Sequence, residues 1–512
     1  MVDNTFFSNG SNKNSKQRAL IFQGGGALGA YEAGIFKVLH DNYFRNDDNI
    51  SNTMFDIVAG TSAGAINAVL LVNYVTHRGT WKGSADILID FWKKLSTSTW
   101  YFENGFVDYW QDIANFSRDQ SNKWWNQIFG SFDKIYGNWR EKWPFLPFYY
   151  YWPDKLGPLA TSESSRKYRS WLQFSLGPLG TPNVLSPSII QPDFRFFNPF
   201  SFMLRYDNSP ITQAILKYWN KNSDGTLIPL RTTTKQPRLL IVGVDVQDAT
   251  TVTFDSYPKE NGHLMSVYGD EDKVKHEINY DEGIEMKHLL ATMSSHLRHK
   301  LPELKVKTTY SDGTIEEKSR PFMDGFYLSN TPLREVLQAH RDYYDKSTIE
   351  GTTVPSLDII IGDLYPTLQK GTPLDSDSLN NRVQDILYHD KSKYDEKSAI
   401  LVSDYIGISK ILWNYIENKD KKVAEQLKTE INKIIRSKDR KGDHRKFCDL
   451  INGRFTIDNI VRIEYGNDLH VNESDDINGK AFEFSTRTIE NLVMIGRKDA
   501  LHYKDKWENW LK

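Results

Sequence analysis

Residues 54–69 read MFDIVAGTSAGAINAV. The opening run, Met54 to Ala59, has the length and apolar character of a buried strand, and Ala63 onward has the composition of a helix. Between them stands Gly60-Thr61-Ser62-Ala63-Gly64, a G-x-S-x-G sequence. A strand that ends in this sequence and opens a helix is the setting of a nucleophile elbow. The sharp turn needs small neighbours, here Gly60 and Gly64, and it lifts the Ser62 hydroxyl to the end of a sheet. The positive end of the helix dipole then favours developing negative charge at that point. Alone, the same five residues are only a tight turn. The flanking strand and helix favour the nucleophile.

The same order occurs upstream. RALIF at 18–22 is a short apolar run that stops at Gln23-Gly24-Gly25-Gly26-Ala27-Leu28-Gly29. Leu28, Tyr31, Ile35 and Leu39 then fall on helical spacing over 27–40. Consecutive glycines let backbone N–H groups converge on one point without side chains in the way, which suits an anion. That anion is either a phosphate or the oxyanion of acyl transfer. Gly24, Gly26 and Gly29 also satisfy G-x-G-x-x-G, with Asp47 and Asp48 near the distance of a ribose-binding acid. A dinucleotide site wants that acid at the end of a second strand. Here the acids sit in the loop YFRNDDNISN, and the next strand leads into the Ser62 turn instead, which disfavours the dinucleotide reading.

Strand, glycine turn and helix, twice in succession, imply parallel strands and an α/β fold, with a mostly parallel sheet sandwiched by helices. Further strands are expected at 238–246 (RLLIVGVDV), 251–254 and 357–361 (LDIII), and helices at 86–95 and 284–294. Thr331 reads as an N-cap with Pro332 at the first helical position. Residues 1–16 read as a flexible tail, 96–210 as an aromatic and Pro-rich insertion with little regular structure, and the chain beyond 366 as helical and charged.

A serine hydroxyl needs a base. His340, His389, His444, His470 and His502 follow Asp324 in the chain, the order a Ser–Asp–His triad would take, but none has a distinctive setting. Asp324 does. It follows Phe322-Met323 and precedes Gly325, which places it in a tight loop beside the sheet. Partial burial would raise its pKa and make it a stronger base. In isolation, Asp-Gly is an ordinary turn.

Composition narrows the class. The 512 residues carry 64 Lys and Arg against 66 Asp and Glu, a formal charge of −2, which gives no support for nucleic acid as a partner. The single Cys448 excludes an internal disulfide and favours a reducing, cytoplasmic setting. The N-terminus lacks the basic-then-apolar order of a secretory signal. The longest uncharged stretch, Ile57 to His77, is interrupted by Gly60, Ser62 and Gly64 and reads as strand, turn and helix rather than as a membrane span.

Three motifs, GGGALGAYEAG at 24–34, GTSAG at 60–64 and DGFYLSNTPL at 324–333, stand in that order. As a set they resemble the patatin-like phospholipase family. The resemblance runs through DIVAGTSAGAINAV, RLLIVGVDVQDATTVTFDS and LLATMSS and covers most of 17–365. RVQDILYHDKSKYDEKSA at 382–399 resembles the C-terminal extension of one bacterial branch of that family. The resemblance implies a three-layer catalytic domain over 17–365 and an accessory region over 366–512. It implies a serine lipid acyl hydrolase with a Ser–Asp dyad and no catalytic histidine. Ser62 matches the nucleophile, Asp324 with Gly325 the Asp-Gly base motif, and Gly24, Gly25 and Gly26 the oxyanion loop. It implies a lipid substrate, peripheral membrane contact, and no metal or other cofactor in the chemistry. A catalytically inactive lipid- or membrane-binding protein of the same fold is the alternative.

Two departures stand out. Phe326 occupies a position where many members have a second small residue, so it crowds the site or lines an acyl channel. The loop SSHLRHKLPEL at 294–304 carries His296, Arg298, His299 and Lys300, which suit either a phosphate headgroup or solvent. Two further segments have two readings each. Residues 100–152 hold 20 aromatic side chains, either a small satellite core or an interfacial anchor. Residues 419–446 carry 11 Lys and Arg against 5 Asp and Glu, with Val423, Leu427, Ile431, Ile434 and Ile435 on one helical face. They read as a surface helix, with an anionic membrane as the other reading.

Overall fold

In a computed structural model, the structure describes residues 16–44, 53–96, 183–184, 186–192, 202–259, 262–269, 273–294, 301–346, 354–367, 376–389, 391–438, 444–446, 455–465, 481 and 483–511. The aromatic segment 100–152, the basic loop residues 296–300, and Asp47, Asp48, His470 and Cys448 lie outside them.

The chain opens with β1 (Lys16–Phe22), a single 3-10 turn at Gly26–Leu28, and α1 (Gly29–Tyr43). Then come β2 (Ile57–Thr61), α2 (Ala63–Arg78) and α3 (Ser84–Leu95). Lys16, expected in the N-terminal tail, belongs to the sheet: it pairs with Ser356, and its ammonium lies 3.0 Å from Asp358 and 3.1 Å from Asp458. The region expected to hold little regular structure contains an antiparallel hairpin, β3 (Ser186–Pro192) with β4 (Phe202–Asp207), before α4 (Ser209–Leu216).

The sheet resumes at β5 (Arg238–Asp245), β6 (Thr250–Asp255), β7 (Met265–Tyr268) and β8 (Val274–Asn279). After α5 (Met286–Met293) come β9 (Glu303–Tyr310), β10 (Ile315–Asp324), α6 (Leu333–Lys346) and β11 (Ser356–Asp363). Helix α6 starts at Leu333, and the Thr331 hydroxyl is buried with no hydrogen-bond partner among the described residues, so Thr331 does not cap it.

Beyond 366 the chain is mainly helical: α7 (Ser376–Tyr388), α8 (Ser392–Lys419), α9 (Lys421–Lys433), α10 (Thr486–His502) and α11 (Lys504–Leu511). The expected helix over 419–446 stops at Lys433. A short pair, β12 (Ile435–Lys438) and β13 (His444–Lys446), follows it. The same region adds β14 (Ile457–Glu464), which pairs parallel with β11. Helix α10 lies along α1, where the Tyr31 hydroxyl donates to Asp499 at 2.9 Å. Among the described residues no helix is long and apolar enough to cross a membrane.

Strand order in the main sheet is β14-β11-β1-β2-β5-β10-β9-β8-β7, with β6 also on β5. The five strands from β14 to β5 run parallel and the remainder antiparallel. Every residue of β2, β5 and β11 is buried. Such strands have both faces covered, which is why their sequences are nearly continuous apolar runs. Alternate side chains divide between two cores. Leu20, Phe22, Val58 and Ile360 face the layer of α1, α2, α3 and α10, while Ala19, Ile21, Ala59 and Ile359 face Leu333 and Val336 of α6. Each large side chain so buried contributes about 1.5–3 kcal/mol.

The pairing around β5 assembles the site. One edge of β5 is filled by β6 over Leu240–Asp245. The other edge must therefore serve both remaining partners. Strand β2 occupies it up to Thr61 opposite Val242, and β10 takes over with Asp324 opposite Gly243. Two strands running in opposite senses thus end against each other, and their next residues meet.

Candidate active site

Ser62 leaves the end of β2 in a backbone conformation unusual for a side-chain-bearing residue, with φ 54° and ψ −121°. Such a conformation costs of order 1–3 kcal/mol and persists only where the surroundings enforce it. Here they do. A Cβ on Gly60 would lie 2.2 Å from the Gly64 carbonyl oxygen, and one on Gly64 would lie 2.5 Å from that of Phe22. The turn therefore closes only with glycine at both positions. The Ser62 amide donates to the Thr292 carbonyl at the end of α5, at 3.2 Å.

Asp324 is the last residue of β10, not a loop residue as its Asp-Gly sequence suggested. Register with β5 carries the strand further than its polar first half indicates. The Asp324 amide donates to Ser294 at 2.8 Å. Its side chain is buried, with Oδ1 accepting from the Phe326 amide at 3.0 Å and Oδ2 accepting from the Ser62 hydroxyl at 2.5 Å. Burial disfavours the carboxylate and lifts this group to about 7, against the opposing pull of those two hydrogen bonds. A serine hydroxyl and a carboxyl that titrates near neutrality are thus in direct contact, which is the arrangement a proton transfer requires.

The glycine loop lies beside them. Gly24, Gly25 and Gly26 line the same cavity as Ser62 and Asp324, about 250 Å³ in volume. Their amides are not equivalent. That of Gly24 donates to the Asn330 carbonyl at 3.1 Å, so it is already engaged. Those of Gly25 and Gly26 have no acceptor among the described residues. Gly26 has φ 57°, and a Cβ there would meet the Ala481 carbonyl oxygen at 2.1 Å. Gly325 follows Asp324 in a short 3-10 turn, and a Cβ on it would meet the Val242 carbonyl oxygen at 2.3 Å. The Thr61 hydroxyl donates to Ser329 at 2.9 Å, which holds the turn after Asp324 against the end of β2.

The cavity walls are mainly apolar and aromatic, drawn from Ile66, Trp92, Met293, Tyr365, Tyr388 and Phe484 among others. Phe326 lines the wall too, its ring centroid 5.1 Å from that of Tyr388. Sequence reasoning missed Gln384, Tyr388 and Phe484, because wall residues carry no local motif. It also missed Asn330 and Glu32, although both stand inside motifs singled out for other residues. Glu32 is fully buried and has no cationic partner among the described residues, and burial pushes its carboxyl well above the usual range.

No described histidine lines the cavity. His340 is buried beside Tyr344 and Phe455, with Nε2 bonded to the Pro355 carbonyl, and burial lowers it to about 4. His389 is bonded to the Ile386 carbonyl, His444 lies in β13 and His502 ends α10. Among the described residues no group of three or more His, Cys, Asp or Glu is placed to hold a metal ion.

A strained serine after a parallel strand, bonded to a buried carboxyl in an apolar cavity, defines the class as an α/β protein with a serine–carboxylate pair. The family model described as patatin-like phospholipase matches residues 20–337, and the chain belongs to that family. Its members are hydrolases acting on lipid esters. No curated protein matches the chain. Among solved structures, the crystal structure of VipD from Legionella pneumophila overlaps 95% of this chain and 72% of its own, at 10% identity and a TM-score of 0.24. An overlap that weak carries no argument.

Proposed function

We propose that the protein is a serine lipid acyl hydrolase that cleaves carboxylic esters of phospholipids or related lipids. The observation that carries this reading is the 2.5 Å hydrogen bond from Ser62 to Asp324 at an apolar cavity. Ser62 Oγ attacks the ester carbonyl and its proton passes to Asp324. The negative charge that develops on the carbonyl oxygen is met by the amides of Gly25 and Gly26, with Gly24 holding the loop through Asn330. Collapse of the tetrahedral intermediate breaks the bond to the alcohol, which leaves with the proton from Asp324. Water then gives a proton to Asp324 and attacks the acyl-Ser62 carbonyl. Return of that proton to Ser62 Oγ releases the fatty acid.

No other described group is suited to take the proton, since neither Glu32 nor any described histidine lines the cavity. The chemistry calls on no metal or cofactor. Peripheral contact with a lipid surface belongs to the reading, because Tyr327, Leu328, Ile386 and Leu387 are exposed next to wall residues Phe326 and Tyr388. So does the division into a catalytic unit over 17–365 and an accessory region over 366–512, although the second region supplies Gln384, Tyr388 and Phe484 to the cavity. A cytoplasmic setting fits the lone Cys448.

A fluorophosphonate probe tests the reading. It is expected to label the wild-type protein at Ser62 and to leave Ser62→Ala unlabelled. A folded wild-type protein that takes up no probe would instead be an inactive lipid-binding member of the family.

A further inference from the structure

Resting on the hydrolase reading above, we infer that Glu32 is a positioning residue for the reaction. Through Gln23 it fixes the backbone that presents the Gly25 and Gly26 amides, and through Asn67 it ties that loop to the helix behind Ser62.

Glu32 stands in the first turn of α1 and points inward, with none of its surface exposed. A buried carboxyl without a cation is costly, and an apolar side chain would serve packing better. What the carboxyl does instead is accept from two fixed donors. Oε1 takes the Gln23 amide at 2.6 Å and Oε2 takes the Asn67 Nδ2 group at 3.0 Å. Gln23 directly precedes the three glycines. Its own side chain accepts from the Leu364 amide at 2.6 Å, and the next amide, on Gly24, donates to Asn330. The loop is thus pinned just before the two amides that remain open to substrate.

The direction of these bonds is forced. Asn67 Nδ2 donates both to Glu32 and to the Gly29 carbonyl at 3.0 Å, and Asn67 Oδ1 accepts from Trp92 Nε1 at 2.9 Å. Turning the amide over would set its NH₂ against the indole N–H. Two donors therefore face position 32, and only a group that accepts at both oxygens satisfies them. Asn67 lies on α2, five residues after Ser62, and Trp92 on α3 lines the cavity. One carboxyl links the glycine loop, the serine helix and the cavity wall.

Glu32→Gln tests this with almost no change in shape. The new amide can still accept from Gln23, but its NH₂ meets the NH₂ of Asn67. Steady-state hydrolysis of a soluble short-chain p-nitrophenyl ester, with a thermal melt on each sample, is the measurement. Misplacing oxyanion donors acts on the transition state, so kcat should fall about 10- to 100-fold with KM within about twofold. Should Glu32→Gln not fold, Asn67→Ala reads the same network, and a kcat loss of about fivefold or more at unchanged KM is expected. A folded Glu32→Gln, or in its place a folded Asn67→Ala, with kcat within twofold of wild type would overturn the inference. Wild-type protein that neither cleaves the ester nor takes up a fluorophosphonate would overturn the hydrolase reading itself, and this inference with it.

Discussion

Replacing Asp324 by Asn should make the protein more stable while removing its activity. Burial lifts the Asp324 carboxyl from its ordinary 3.8 to about 7. Between those two values the folded protein keeps a proton that the unfolded chain releases. Stability contributed at this site therefore declines as pH rises from about 4 to about 7, and above 7 the full cost of a buried carboxylate is present. A gap of about three pH units corresponds to about 4 kcal/mol. Asparagine is neutral at every pH and keeps the local bonds, since Oδ1 can accept from the Phe326 amide and Nδ2 can donate to Ser62 Oγ. Urea unfolding followed by tryptophan fluorescence, run on both proteins across this range, isolates the site because every other carboxyl is common to the pair. The stability advantage of Asp324→Asn should widen by about 2–3 kcal/mol between pH 5 and pH 8. A difference that stays constant with pH would mean that Asp324 ionises near its ordinary value, and the argument for a tuned base would fail.

The same group predicts that kcat/KM for a soluble ester rises with pH and levels off above about 7, following one ionisation; a flat profile from pH 5.5 to pH 8 would contradict it. In the glycine loop, Gly25→Ala should fold at some cost in stability, because the φ of Gly25 is −170°, outside the left-handed region, and its Cβ would press on the end of the Leu364 side chain and lie 3.1 Å from the Leu28 Cβ, with no backbone atom in the way. Its kcat should drop about tenfold or more if the neighbouring amides hold an oxyanion, whereas Gly26→Ala, with a positive φ and a backbone oxygen in the way, should lower the melting temperature as well. His389→Ala should keep activity within about threefold, and its loss would restore the triad reading.

Much of this fold was legible because its signal is contiguous. Strand, glycine turn and helix stand next to each other around Gly24–Gly26 and around Ser62, so both halves of the site could be placed on elements from composition alone. The meeting of Ser62 with Asp324 could not. It depends on β10 taking over the edge of β5 where β2 ends, and register between segments 262 residues apart leaves no trace in either. Asp324 was expected in a tight loop because it stands between Phe322-Met323 and Gly325, whereas it ends the strand IEEKSRPFMD, which is polar over its first half. That half belongs to an exposed hairpin with β9, and only its end enters the core. Strand β14 was hidden in charged sequence for a related reason: as the edge strand it pairs only with β11, so IDNIVRIE keeps polar residues along its length. Glu32 stood inside GGGALGAYEAG with no role read for it from the sequence. Only the arrival of two donors from distant segments gives it a task.

Release of fatty acid from phospholipid in mixed micelles, measured for wild-type protein and for Ser62→Ala side by side, tests the central claim most directly. The account predicts release by the wild-type protein and none above background by a folded Ser62→Ala. Release that persists in Ser62→Ala, or a folded wild-type protein that frees no fatty acid from any ester lipid offered, would contradict it.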